Sequence, residues 1–134
     1  GTSPRSSWSG TIARRGDIRG LCLILDAEQL RIDAQEAAVL ALEAGCRLFQ
    51  YRDKINSRKK IYETAVRLSG VLRRAGAVFI VNDHADIARA VDADGVHLGQ
   101  DDLPVDEARK VIGPDRLIGL STHDRGQAIA AQAA

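Results

Sequence analysis

Residues 77–98, AVFIVNDHADIARAVDADGVHL, decide the fold. Ala77 to Val81 (AVFIV) reads as a buried strand, Ala85 to Val91 as a short helix, and Gly95 to Leu98 as a second strand. Neither strand alternates with polar residues as a sheet wet on one face would. Strand, helix and strand therefore form a parallel unit closed by a right-handed crossover.

The alternation continues in both directions. Upstream, Leu21 to Leu25 is a strand, and a D-x-x-E start at Asp33 and Glu36 opens an apolar-periodic helix that Gly45 closes. Cys46 to Tyr51 is a further strand, followed by a helix from about Ser57 to Ala75 with Ile61, Ala65, Leu68 and Leu72 on one face and Gly76 as its stop. Downstream, Pro104 takes a first-turn position in a helix through Val111, Gly113 and Pro114 end it, Leu117 to Leu120 is a strand, and Asp124 to Ala134 begins a fifth helix. The class is α/β. The units recur roughly every 24 residues, and eight of them need ~200 residues or more, the range of a (β/α)8 TIM barrel. Five βα units of that type are expected here, and the Ala-rich end reads as cut from something longer.

Residues 21–134 are thus expected to be a partial barrel domain. Residues 1–20 (GTSPRSSWSGTIARRGDIRG) are rich in Gly, Ser and Arg without periodicity, and read as a flexible leader or tag outside the fold. The formal net charge of +1 is unevenly spread. Arg5, Arg14, Arg15 and Arg19 against Asp17 leave the other residues at −2. An acidic-leaning domain, in a chain with 1 Trp, 2 Tyr and 2 Phe in all, lacks the basic stripe and stacking platform of a nucleic-acid binder. Its apolar runs are far short of the ~20 residues of a membrane span. Cys22 and Cys46 fit no metal spacing and read as reduced, buried and structural, as in a cytoplasmic protein.

In a parallel βα array the functional groups gather at the carboxyl ends of the strands. Each strand here exits into polar residues: Asp26; Gln50, Arg52 and Lys54; Asn82 and Asp83; Gln100, Asp101 and Asp102; Ser121, Thr122 and His123. Gln50, Arg52 and Lys54 are spaced i, i+2, i+4, so an extended chain points them to one side and Tyr51 and Asp53 to the other. Two cations beside an amide make a receptor for a multiply charged anion such as diphosphate, although a solvated strand end running into a basic loop has the same composition. Asp83 and Asp102 follow different strands and offer two hard oxygen ligands for Mg2+. Each alone also reads as a helix cap, as does Ser121 or Thr122 at the last helix. His97 lies within a strand and reads as a packed core histidine. No dinucleotide-binding or Walker signature and no Ser-His-Asp constellation occurs.

Together FQYRDK (Phe49 to Lys54), VND (Val81 to Asp83), GVHLGQDDLP (Gly95 to Pro104) and IGLSTH (Ile118 to His123) resemble, in order and spacing, the thiamine-phosphate synthase family. The resemblance implies a (β/α)8 barrel and a Mg2+-dependent transferase of thiamine biosynthesis. That activity joins hydroxymethylpyrimidine diphosphate to thiazole phosphate and releases diphosphate by a dissociative route. By position it makes Gln50, Arg52 and Lys54 the diphosphate group, Asn82 a substrate contact, Asp83 and Asp102 the Mg2+ ligands, and Ser121 a diphosphate contact. Tyr51 stands where the family usually has Leu, and Leu25 where a Thr is common. The family's loops for the thiazole phosphate would lie after Ala134.

Two other readings stay open. One is a thiazole tautomerase-like paralogue, which in general lacks the acidic pair. The other is a non-catalytic fragment that binds ligand or a partner. Unpaired edges of a half barrel would favour homo-oligomers, strand exchange or poor stability.

Overall fold

Short apolar strands, two side-chain caps and glycine stops are the local signals that set the architecture. The computed structural model describes residues 6–8, 22–99 and 102–121, with backbone alone for 6–8, 22 and 121. Its elements run β1 (Ser6–Trp8), β2 (Cys22–Asp26), α1 (Ala34–Glu43), β3 (Leu48–Arg52), α2 (Arg58–Arg74), β4 (Val78–Asn82), α3 (Ala85–Ala90), β5 (Gly95–Leu98), α4 (Val105–Ile112) and β6 (Leu117–Ser121). They form one 6-stranded sheet in the order β1-β6-β5-β4-β3-β2. The neighbours from β2 to β6 are all parallel. This is the expected α/β array of successive βα units. The expected helix over 124–134 lies outside the described residues.

Helices α1 and α2 start where the sequence places their caps. The Asp33 carboxylate accepts from the amides of Gln35 and Glu36, and the Ser57 hydroxyl accepts from Lys60 N. Ile61, Ala65, Leu68 and Leu72 are buried along α2, as the periodicity requires, together with Thr64 and Ser69. Burying a leucine is worth roughly 2 kcal/mol, so this stripe holds α2 to the sheet. Gly45 and Gly76 end α1 and α2 at φ +98° and +71°, in the left-handed region that favours glycine.

Two strands begin later than their apolar runs. Cys46 N donates to Ala41 O and Ala77 N to Leu72 O, each at 2.9 Å. These first residues finish the preceding helix and join no ladder, so β3 starts at Leu48 and β4 at Val78. Cys46 is half-buried, not buried, with its thiol 3.6 Å from Leu48 O. The side chain of Cys22 lies outside the described residues.

Ser6–Trp8 falls inside the stretch read as a leader, yet it is a strand paired antiparallel to β6, with Ser7 opposite Leu120 and Trp8 opposite Gly119. SSW carries none of the apolar signature of a buried parallel strand, which is why periodicity passes over it. The other residues of 1–20 lie outside the described residues. Among the described residues no helix is long and apolar enough to cross a membrane.

The two faces of the sheet have different roles. Phe49, Tyr51, Phe79, Val81, Val96, Leu98 and Ile118 join the large core with the helices. Leu48, Val78, Ile80 and Leu117 form a smaller apolar cluster of their own. By strand alternation Gln50 and Arg52 continue the face of Leu48, and Asn82 that of Val78 and Ile80.

Candidate functional site

The polar strand ends meet at one edge of the sheet because adjacent parallel strands stop at matching heights. Asp26 is in register with Arg52, and Asn82 with His97. Three contacts follow in sheet order. Arg52 Nη1 donates to Asp26 Oδ2 at 2.8 Å, across β3 and β2. Gln50 Nε2 donates to Asn82 Oδ1 at 2.9 Å, across β3 and β4, and both side chains are buried. Lys54 Nζ forms an ion pair with Asp83 Oδ2 just beyond the same two strands.

Asp83 and Asp102 come together, and neither caps a helix. The cap positions of α3 and α4 belong to His84 and Pro104, neither with a side-chain cap bond. Asp83 instead adopts φ +75°, unusual for a non-glycine residue, and its amide donates to His97 O at 2.8 Å. Asp102 Oδ2 accepts from Gly99 N at 2.6 Å, which folds the loop after β5 back toward the strand end. The two carboxyls lie against each other, each shifting the titration of the other.

The electrostatics follow from that contact. Burial pushes Asp102 up, and the neighbouring Asp83 carboxyl adds to it, to about 6. Burial also acts to raise Asp83, but the bond from Asp102 and the Lys54 ammonium outweigh it and hold Asp83 below the usual carboxylate range. Below about pH 6 one proton is thus shared within a pair of acids beside a cation. His97, 3% exposed on β5, is pushed down to about 4 by burial, against the pull of Asp83. It is a neutral, buried imidazole, in line with its strand position.

Six of the seven residues singled out from sequence therefore lie at the carboxyl edge of β3 to β5, in two direct contacts and one triad. The seventh, Ser121, ends β6. Its side chain lies outside the described residues, as do Gln100, Asp101, Thr122 and His123. Sequence reasoning gave no role to Asp26, the partner of Arg52; strand register, which spacing along one strand does not reveal, makes that pair. It also passed over Asp53. This residue points away from the row yet is 3% exposed and accepts from Tyr51, Ile55 and Asn56.

The thiamine monophosphate synthase family model matches residues 21–134. The chain is 46% identical over 123 residues to a thiamine-phosphate synthase of Pelotomaculum thermopropionicum, covering 85% of this chain and 56% of that protein. It is 51% identical over 92 residues to one of Methanosarcina barkeri, covering 69% and 41%. A solved thiamine phosphate pyrophosphorylase from Pyrococcus furiosus superposes with a TM-score of 0.73 at 34% identity, over 82% of this chain and 54% of that one. The chain spans about half the length of these relatives. On the extent of the family match and these identities, the chain belongs to the thiamine monophosphate synthase family.

Proposed function

We propose that this chain carries the diphosphate-binding part of a cytoplasmic thiamine-phosphate synthase site, which takes hydroxymethylpyrimidine diphosphate and, with thiazole phosphate, yields thiamine phosphate and diphosphate. The observation that carries the reading is the meeting of Lys54, Asp83 and Asp102 beside the Arg52 strand end. A cation-rich strand end next to a proton-sharing acid pair suits a polyanion and a metal better than a structural ion pair does, because it concentrates charges of both signs that no helix cap uses.

The donor set fits Mg2+. Asp83 and Asp102 supply neighbouring hard oxygens, and the raised Asp102 carboxyl marks a position where positive charge is stabilised. Among the described residues no group of three or more His, Cys, Asp or Glu could hold a metal ion. The other ligands would be water and phosphate oxygens. When bound, Mg2+ neutralises charge on the leaving diphosphate.

The chain's own residues do the remaining work. Arg52, aimed by Asp26, presents a planar fork to phosphate oxygens, and Lys54 a compact charge. Loss of diphosphate with the electron pair of the C–O bond needs this charge stabilisation and no strong base. The buried Gln50 and Asn82 amides hold each other and offer fixed donors and acceptors to the pyrimidine side. Ser121, the last residue of β6, is assigned a diphosphate contact by its match to the family motif. The acid pair favours this reading over a tautomerase-like or purely structural one. Titration calorimetry with the pyrimidine diphosphate tests it: binding weakened by EDTA and by Arg52→Ala supports it, and a Kd indifferent to both overturns it.

A further inference from the structure

We propose that Tyr51 and Asp53, on the opposite side of β3 from the anion-binding row, are positioning residues that fix the directions of Arg52 and Lys54. The connectivity carries this. Tyr51 and Asp53 flank Arg52, and the Tyr51 hydroxyl donates to Asp53 Oδ2 at 2.7 Å. Asp53 and Ile55 flank Lys54, and Ile55 N donates to Asp53 Oδ1 at 3.0 Å. Each cation therefore stands between two residues bonded to each other. Asn56 adds two more bonds to the same carboxylate, from its amide at 2.9 Å and its side-chain nitrogen at 2.7 Å.

The cost of this arrangement argues against a passive turn. Asp53 and Tyr51 are each 3% exposed, and an ionised carboxylate removed from water is expensive unless hydrogen bonds compensate. Burial acts to raise the Asp53 pKa, but the bonds from Asn56, Tyr51 and Ile55 outweigh it and keep the group ionised. Burial and the Asp53 charge push the Tyr51 phenol up, so it stays a donor. Behind them lies a cavity of about 150 Å³ bounded in part by Tyr51, Asp53, Asn56 and Thr64. Loss of either polar group leaves the loop end without a packed substitute. Each cation thus sits between neighbours held to each other through Asp53, so a slack latch turns Arg52 and Lys54 out of alignment.

The proposal rests on the diphosphate reading for its ligand test and on the loop itself for a second test. Inorganic pyrophosphate with Mg2+ is titrated into the full chain and into Asp53→Asn, Tyr51→Phe and Arg52→Ala, and amide hydrogen exchange is followed in parallel. Asp53→Asn is expected to weaken pyrophosphate binding about tenfold, as loss of an outer-shell orienting partner does, and Tyr51→Phe less, while the fold persists. The amides of Ile55 and Asn56 should exchange faster in Asp53→Asn, with those of β4 unchanged. A purely structural role lowers the unfolding midpoint and leaves the affinity of the folded chain intact. Parental affinity in both variants, with Arg52→Ala impaired, overturns the proposal, and so does unaltered exchange at Ile55 and Asn56. Failure of the diphosphate reading shows separately, as equal pyrophosphate binding by the parent and Arg52→Ala.

Discussion

Asp83 and Asp102, on the loops that follow adjacent parallel strands, bring their carboxyl groups against each other, and Lys54 is ion-paired to Asp83. Asp102 is raised to about 6 by burial and by its partner, so near and below that pH the pair keeps a proton that a divalent cation must displace. Mg2+ affinity should therefore fall as the pH is lowered from 7.5 to 5, with proton release on binding near pH 6 and below. Calorimetry in buffers of different ionisation enthalpy measures both. A pH-independent affinity contradicts the pairing.

Removing the cation should shift the same equilibrium. Lys54→Met deletes the positive charge that favours ionisation of Asp83 and opposes the rise at Asp102. The pair should hold its proton to a higher pH than in the parent. A carboxyl-carbon NMR titration reads this directly, and a midpoint at or below the parental one refutes the electrostatic role of Lys54.

Two glycines of the β5 region should respond differently to one added methyl. A Cβ on Gly95 would lie 2.4 Å from Leu117 O, which is backbone of the neighbouring strand. Gly95→Ala must part β5 from β6 and should cost about 3 kcal/mol. A Cβ on Gly99 would lie 3.2 Å from Asp102 Oδ2, the end of a side chain that can move. Gly99→Ala should leave the unfolding midpoint within a few degrees of the parent but weaken Mg2+ binding severalfold. Denaturation and metal titration of both variants decide it, and the reverse pattern would show that Asp102 is not held by its contact with Gly99.

The strands and helices were legible because their signals are local. Apolar runs, Asp33 and Ser57 as caps, and Gly45 and Gly76 as stops each act within a few residues. Gln50 and Arg52 were legible for the same reason, since strand alternation is a property of one segment, whereas β3 ends at Arg52 and Lys54 lies in the loop that follows. The Arg52 to Asp26 pair and the Gln50 to Asn82 bond depend on register between strands, which residue spacing within a single segment does not encode. The two aspartates looked equally able to cap helices. Only the backbone of Asp83 at φ +75° and the Gly99 bond to Asp102 turn them toward each other. The antiparallel strand at Ser6–Trp8 has no apolar pattern to announce it.

His97 gives the stability of the domain an acid limb. Burial lowers its pKa to about 4 from 6.5, and the nearby Asp83 carboxylate only partly opposes this. A histidine whose folded pKa is depressed contributes stability fully above its unfolded value, and that contribution is lost as the pH falls from 6.5 toward 4, because the unfolded chain takes up the proton first. Between pH 7.5 and 4.5 the parent should lose about 2–3 kcal/mol more than His97→Gln, from the linkage of that shift. Urea unfolding of both chains at the two pH values, in EDTA so that the acid pair is treated alike, supplies the comparison. Parallel losses in parent and variant would mean that His97 is not a neutral buried imidazole.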